Sequence, residues 1–192
     1  MRGAEAGLEM FGKVVVYDLP SENMVMFKEN LEAQRKIKNM RIRCIRLLHS
    51  LGVQCTESVI LVSPERYDMV DSVVNNVISV YESSGFQLPR PLIRVIDLHG
   101  FQLDAFRELA IRNIVRRLDY TIELVSDIIT RLEELIREGR AGRVTTNLRR
   151  LKREWMTIRE LAESLGITLP RDYSYLIELI DEALEELRRG QA

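Results

Sequence analysis

Cysteine, histidine and long apolar runs are scarce in this 192-residue chain. Its two cysteines, Cys44 and Cys55, have neither the paired spacing of a zinc site nor the density of a disulfide-stabilised secreted domain, so they are predicted to be buried thiols. No apolar run reaches the roughly eighteen residues that a membrane span requires, and the first residues, MRGAEAGLEMFGK, contain no run of signal-peptide length. We therefore expect a cytoplasmic protein without a membrane partner.

An excess of one charge is also missing, because 28 Lys and Arg residues nearly balance 29 Asp and Glu residues. A balanced chain has no overall field that draws it to nucleic acid or to an anionic membrane, so such binding requires a local patch. The sequence contains no catalytic triad, P-loop or dinucleotide-binding fingerprint. The composition is typical of a protein from a thermophile, because Arg, Glu, Ile and Val are abundant and Gln and Asn are few.

The N-terminal half alternates strand patterns with helix patterns. Short β-branched runs at 13–19, 53–63 and 91–98 predict strands, and helical spacing predicts helices over about 21–51 and 64–81. If the middle run folds back as a hairpin, the order of elements is βαββαβ. That order predicts a ferredoxin-like sandwich, with one sheet and two helices, over residues 1–99.

The C-terminal half, residues 100–192, shows helical spacing only. Apolar residues recur every three or four positions over 103–136, as one long helix or two joined near Asp119, and again over 148–165 and 176–187. The predicted fold class is therefore α+β, a ferredoxin-like domain followed by an all-α helical hairpin or bundle. Because the apolar stripes are narrow, one left unpaired within the chain could pair two subunits.

One predicted helix is strongly basic, since no acidic residue occurs between Glu32 and Glu57. A helical wheel gathers Ile37, Cys44 and Leu48 on one side and predicts a cationic face on the other. Such a face suits phosphates through charge and counterion release, although a solvated face paired with neighbouring acids is the alternative. The candidate nucleic-acid-binding residues on this helix are Arg35, Lys36, Lys38, Arg41, Arg43 and Arg46.

A second basic cluster surrounds the turn of the helical hairpin and the helix after it. It carries no interleaved aromatic residues that would stack on unpaired bases, so duplex nucleic acid is a better candidate partner than a single strand. Its candidate residues are Arg140, Arg143, Arg149, Arg150 and Arg153.

Three segments, VVVYDLPSEN, RIRCIRLLHSLGVQ and ESVILVSPE, resemble a ferredoxin-like domain found in three groups. These are the CRISPR-associated nucleases of spacer acquisition, the C-terminal part of PaaX-type phenylacetate repressors, and the ChrB-type chromate-resistance regulators. The resemblance covers residues 13–65. The ChrB type is the closest in layout because a helical region follows its sandwich. Two departures are the longer first helix and the lack of a winged-helix domain before the sandwich.

The nuclease branch of this resemblance implies a role for Asp18, which ends the first strand pattern. There, two copies of the matching acid face each other across a dimer axis and hold Mg²⁺. In the simpler interpretation, Asp18 caps the turn entered through Pro20 and Ser21. Asp97 and His99 are expected at the opposite end of the sheet, too far away to share a metal with it.

Three hypotheses follow for a chain that is expected to form a homodimer. The first is a non-catalytic regulatory or DNA-binding protein of the ChrB and PaaX kind, without a cofactor. The second is a Mg²⁺-dependent nuclease with Asp18 at the dimer axis. The third is a protein–protein interaction module whose basic faces bind acidic partners.

Overall fold

The computed structural model describes residues 11–24 and 31–190. Residues 1–10, where no export signal is expected, and residues 25–30, within the predicted first helix, lie outside the described residues. An antiparallel sheet occupies the N-terminal part and helices follow it, so the prediction of an α+β chain that ends in helices is confirmed.

The sheet contains four strands, β1 (Phe11–Asp18), β2 (Gly52–Thr56), β3 (Val59–Val62) and β4 (Leu92–His99). They are antiparallel and lie in the order β2-β3-β1-β4. Each is rich in the β-branched residues that suit a pleated, buried surface. Gly52 opens the second strand where a Cβ would lie 1.9 Å from the Leu61 carbonyl oxygen, so the two strands approach closely only with glycine there.

Two α-helices connect these strands, α1 (Leu31–His49) and α2 (Val70–Glu82). The predicted helix over 64–81 begins instead as a 3₁₀ helix, Pro64–Met69, and becomes α-helical at Val70. The tighter turn is visible in the bond from the Arg66 amide to the Ser63 carbonyl, three residues earlier. Another 3₁₀ helix, Glu22–Met24, follows β1.

The core of this part lies between the sheet and the two helices. Burial of each large aliphatic side chain contributes roughly 1.5–3 kcal/mol of transfer free energy, which makes this layer the main stabilising contact. The cluster contains Val15, Tyr17, Leu19, Cys44, Leu48, Leu51, Ile60, Val62, Val70, Val73, Val77 and Tyr81. Both cysteines are buried and unpaired with each other, as predicted.

The chain divides into two compact units, Met1–Ala110 and Ile111–Ala192. The division falls inside α3 (Phe101–Thr130), whereas the change of sequence pattern predicts it at 99–100. The first turns of α3 pack against the sheet of the first unit. Leu103 lies over Gly12, and the Cys55 thiol donates to the Phe106 carbonyl at 3.4 Å.

The second unit contains the rest of α3, with α4 (Leu132–Arg137), α5 (Ala141–Ser164) and α6 (Asp172–Arg189). The long helix does not break at Asp119 but at Arg131. Gly139 and Gly166, both at positive φ, end α4 and α5 with the bonds of a Schellman turn. Its core includes Leu118, Val125, Leu148, Trp155, Leu176, Ile180 and Leu187. No helix in the described ranges combines the length and apolarity that crossing a membrane requires.

Candidate nucleic-acid interface

The cationic face of α1 is a product of its sequence spacing. The 19-residue helix contains neither Gly nor Pro, and Arg, Lys, Leu, Met and Gln favour the helical state. Ile37, Cys44 and Leu48 are fully buried, and Cys44 and Leu48 belong to the core cluster that includes the strands. The opposite side exposes Arg35, Lys36, Lys38, Arg43 and Arg46, as the helical wheel predicted.

Few of these exposed cations are neutralised by a neighbouring acid. Lys36 pairs with Glu32, one turn earlier, at 2.7 Å, and because both side chains are exposed to solvent the pair contributes little to stability. In the described ranges 11–24 and 31–190, Arg35, Lys38, Arg43 and Arg46 make no ion pair. We call these four residues the α1 cationic face. Their charges are held on one side of a helix by packing and are not cancelled by the described part of the chain.

Arg41 does not belong to this face, so its expected position away from the apolar stripe is wrong. It is half-buried, and its Nε donates to the Leu19 carbonyl at 3.3 Å. Burial raises the pKa of Tyr81 to about 12 and also raises the pKa of Tyr17, and at both phenols the Arg41 guanidinium opposes the rise. Arg41 therefore sits beside the core and fastens α1 to the end of β1.

Asp18 lies exposed at the end of β1, opposite Leu92 of β4. No described residue donates a hydrogen bond to its carboxylate, so the expected capping bond from the following turn is not made by the described residues. The described part of the chain contains no group of three or more His, Cys, Asp or Glu side chains arranged to hold a metal ion. Among the described residues of one chain, Asp18 therefore has no neighbouring ligands that would complete a Mg²⁺ site.

Asp97 and His99 lie at the other end of the β1–β4 ladder, as expected, opposite Lys13 and Phe11. Lys13 Nζ approaches Asp97 Oδ1 at 2.6 Å. This hydrogen bond raises the pKa of the lysine and lowers the pKa of the aspartate. Asp97 therefore has a structural partner in Lys13.

A contact near Asp18 was not visible in the sequence. The Tyr17 hydroxyl donates to the Glu57 carbonyl at 2.9 Å and lies 3.0 Å from His49 Nε2. Because the phenol has a single proton, His49 Nε2–H is the donor in the second bond. The contact joins the last turn of α1, the end of β1 and the β2–β3 turn. These residues are far apart in the chain, so no spacing pattern could have revealed it.

The second basic cluster lies on α5, in the second unit. Arg143, Arg149, Arg150 and Arg153 are exposed on the side opposite the buried Leu148 and Trp155. Arg153 Nε reaches only the Arg149 carbonyl, at 3.4 Å. In the described part of the chain these four arginines make no ion pair, and we call them the α5 cationic face.

Two further cations, Arg140 of this cluster and the nearby Lys152, are paired with acids. Arg140, at the turn before α5, bonds to Glu138 at 3.0 Å. Lys152 reaches Asp181 of α6 at 2.6 Å and so ties α5 to α6. Arg140 is therefore less available to a polyanion than the four arginines of the α5 cationic face.

Comparison of the chain with protein-family models, with curated proteins and with solved structures finds no significant match.

Proposed function

We propose that this chain is a non-catalytic, regulatory protein that binds duplex nucleic acid. The observation that carries the proposal is the α1 cationic face, whose four side chains project from a rigid, packed helix without an acid to neutralise them in the described residues. A polyanion gains affinity at such a face because each neutralised phosphate releases condensed counterions. The α5 cationic face gives the second unit the same property.

The first unit, in this proposal, is a ferredoxin-like sandwich of the ChrB and PaaX kind. Its element order, with two helices interleaved among four strands, and its antiparallel strand order support this assignment. The helices that follow the sheet agree with the ChrB-type layout. Fold likeness alone does not fix an activity, so the functional proposal depends on the charged faces.

In this proposal the chain forms a homodimer in which the β4 strands of the two copies pair. Among the described strands, β4 ends the sheet and bonds only to β1, and it exposes Leu92, Val95 and Ile96 by 58%, 40% and 47%. Free apolar edges of this kind favour strand addition. If two copies of β4 pair antiparallel about a two-fold axis at Val95 or Ile96, apolar side chains of the two copies lie opposite each other. An axis at Arg94 or Asp97 would instead place like charges opposite each other.

The test is a fluorescence-anisotropy titration of a labelled duplex at several salt concentrations. Charge reversal of Arg35, Arg43 and Arg46 to Glu should flatten the slope of log affinity against log salt by about two to three units, at roughly 0.9 per lost phosphate contact. Reversal of Arg66 and Arg90, exposed cations of the same unit that lie off α1, should leave the slope unchanged. Circular dichroism checks that each variant is folded.

The same titration, repeated with Mg²⁺ and followed on a denaturing gel, separates the two alternatives. Duplex cleavage that disappears in Asp18→Ala would favour the Mg²⁺-dependent nuclease. Absence of duplex binding at low salt would overturn the proposal and favour an interaction module whose basic faces bind acidic proteins.

A further inference from the structure

Two uncharged residues lie among the four basic residues of the α1 cationic face. Asn39 is exposed there, and Ile42, one turn away on the same side, is 36% exposed. At 100° per residue the two side chains point within about 60° of each other, and Arg35 and Arg46 lie one turn before and after them on the same side. An amide and a branched apolar side chain therefore form the centre of a basic surface.

A face that only neutralises phosphates does not require these two residues. Asn favours the helical state less than Lys or Arg does, and an Ile side chain exposed to water contributes no free energy of apolar burial. In the major groove both side chains have partners, because an Asn amide pairs with adenine N6 and N7, and an apolar side chain contacts the thymine methyl group. The composition of the face thus matches base edges at its centre and phosphates at its rim.

We propose that α1 lies in the major groove of B-form DNA, where Asn39 contacts an adenine and Ile42 a thymine methyl group while the α1 cationic face holds the flanking phosphates. This inference rests on the proposed function and makes it specific, since it names the form of nucleic acid and the base pairs that are read.

The packing of α1 allows this approach. A helix with its side chains is about 10–12 Å across and the major groove is about 12 Å wide. The side of α1 that carries Ile37, Cys44 and Leu48 is buried, whereas Arg35, Asn39, Ile42, Arg43 and Arg46 on the opposite side are exposed. The exposed middle of the neighbouring helix, α2, is neutral and polar, and its residues there are Ser72, Asn75, Asn76 and Ser79.

Two other nucleic acids fit this face less well. A-form RNA has a deep, narrow major groove that side chains cannot read. Single strands are bound through aromatic stacking, and α1 contains no Phe, Tyr or Trp. B-form DNA therefore matches both the shape and the composition of the face.

The experiment selects binding sites for the full chain from a pool of random duplexes and measures affinities for the enriched site. The wild type should enrich a short site that contains A·T pairs. Asn39→Ala should lose about tenfold or more of the discrimination at one adenine while its salt slope stays unchanged, because the amide carries no charge. Asn75→Ala, on α2, is the matched control and should behave as the wild type does.

Replacing thymine by deoxyuridine removes only the methyl group and tests Ile42 separately. The wild type should bind the substituted site more weakly, and Ile42→Ala should not distinguish the two sites. Salt-dependent binding without an enriched sequence, or an Asn39→Ala variant that keeps the full preference, would overturn this inference and leave the proposed function standing. Failure of the wild type to bind any duplex would overturn both.

Discussion

Arg41 donates from its Nε to the backbone carbonyl of Leu19, at 3.3 Å, and so links the middle of the most basic helix to the end of the first strand. The next carbonyl, that of Pro20, accepts from the Tyr81 hydroxyl at 3.0 Å. Two consecutive carbonyls after β1 are therefore held by side chains from α1 and α2. Arg41 therefore has a structural role, although it was expected to lie on the surface with the other cations of α1.

The first prediction compares Arg41 with Arg43, two residues away on the same helix. Arg41→Ala should lower the free energy of unfolding by about 1.5–3 kcal/mol, because it removes a charge-assisted bond to a carbonyl and a partly buried side chain. Arg43→Ala should change it by about 0.5 kcal/mol or less, since Arg43 is exposed. Urea unfolding measures both, and equal effects of the two changes would contradict the role of Arg41.

The difference between these two arginines also shows what the sequence could reveal. Helical spacing identified the buried stripe through Ile37, Cys44 and Leu48, because one helix face repeats at a fixed angle. Arg41 lies beside that stripe on the wheel, and only the tertiary fold provides the Leu19 carbonyl that its long side chain reaches.

The order of strands and helices along the N-terminal part of the chain could be anticipated from the β-branched runs and the helical spacing between them, because each pattern repeats at its own period. The bond between Tyr17 and His49 could not be anticipated, because it joins side chains of different elements. The 3₁₀ start at Pro64–Met69 was missed because proline suits the first turn of either kind of helix.

The second prediction concerns Asp18. Its carboxylate is exposed and receives no hydrogen bond from the described residues, so Asp18→Ala should change the free energy of unfolding by about 0.5 kcal/mol or less. Millimolar Mg²⁺ should raise the melting temperature of neither the wild type nor the variant. A melting temperature that Mg²⁺ raises in the wild type alone would instead indicate a metal site that includes Asp18.

The third prediction concerns the β4 edge. The wild type should scatter light as a species of twice the 22.3 kDa chain mass. Val95→Lys combined with Ile96→Lys should give a monomer, because charged side chains at the centre of a free edge block strand addition. Tyr120→Lys changes an apolar side chain that is 67% exposed but lies off the sheet, so it is the control and should remain dimeric. A wild type that is monomeric at every concentration would contradict the dimer.

The last prediction asks whether the second unit binds the same duplex as the first. Charge reversal of Arg149, Arg150 and Arg153 to Glu should reduce the salt slope by roughly 0.9 for each side chain that contacts a phosphate, without unfolding the helix, because all three are exposed. The matched control is reversal of Arg188 and Arg189, exposed cations at the acidic α6 helix, which should leave the slope unchanged. If the slope falls with the α5 reversal and again with the α1 reversal, both units contact one duplex. An unchanged slope after the α5 reversal would restrict DNA binding to the first unit and leave the α5 cationic face to another acidic partner.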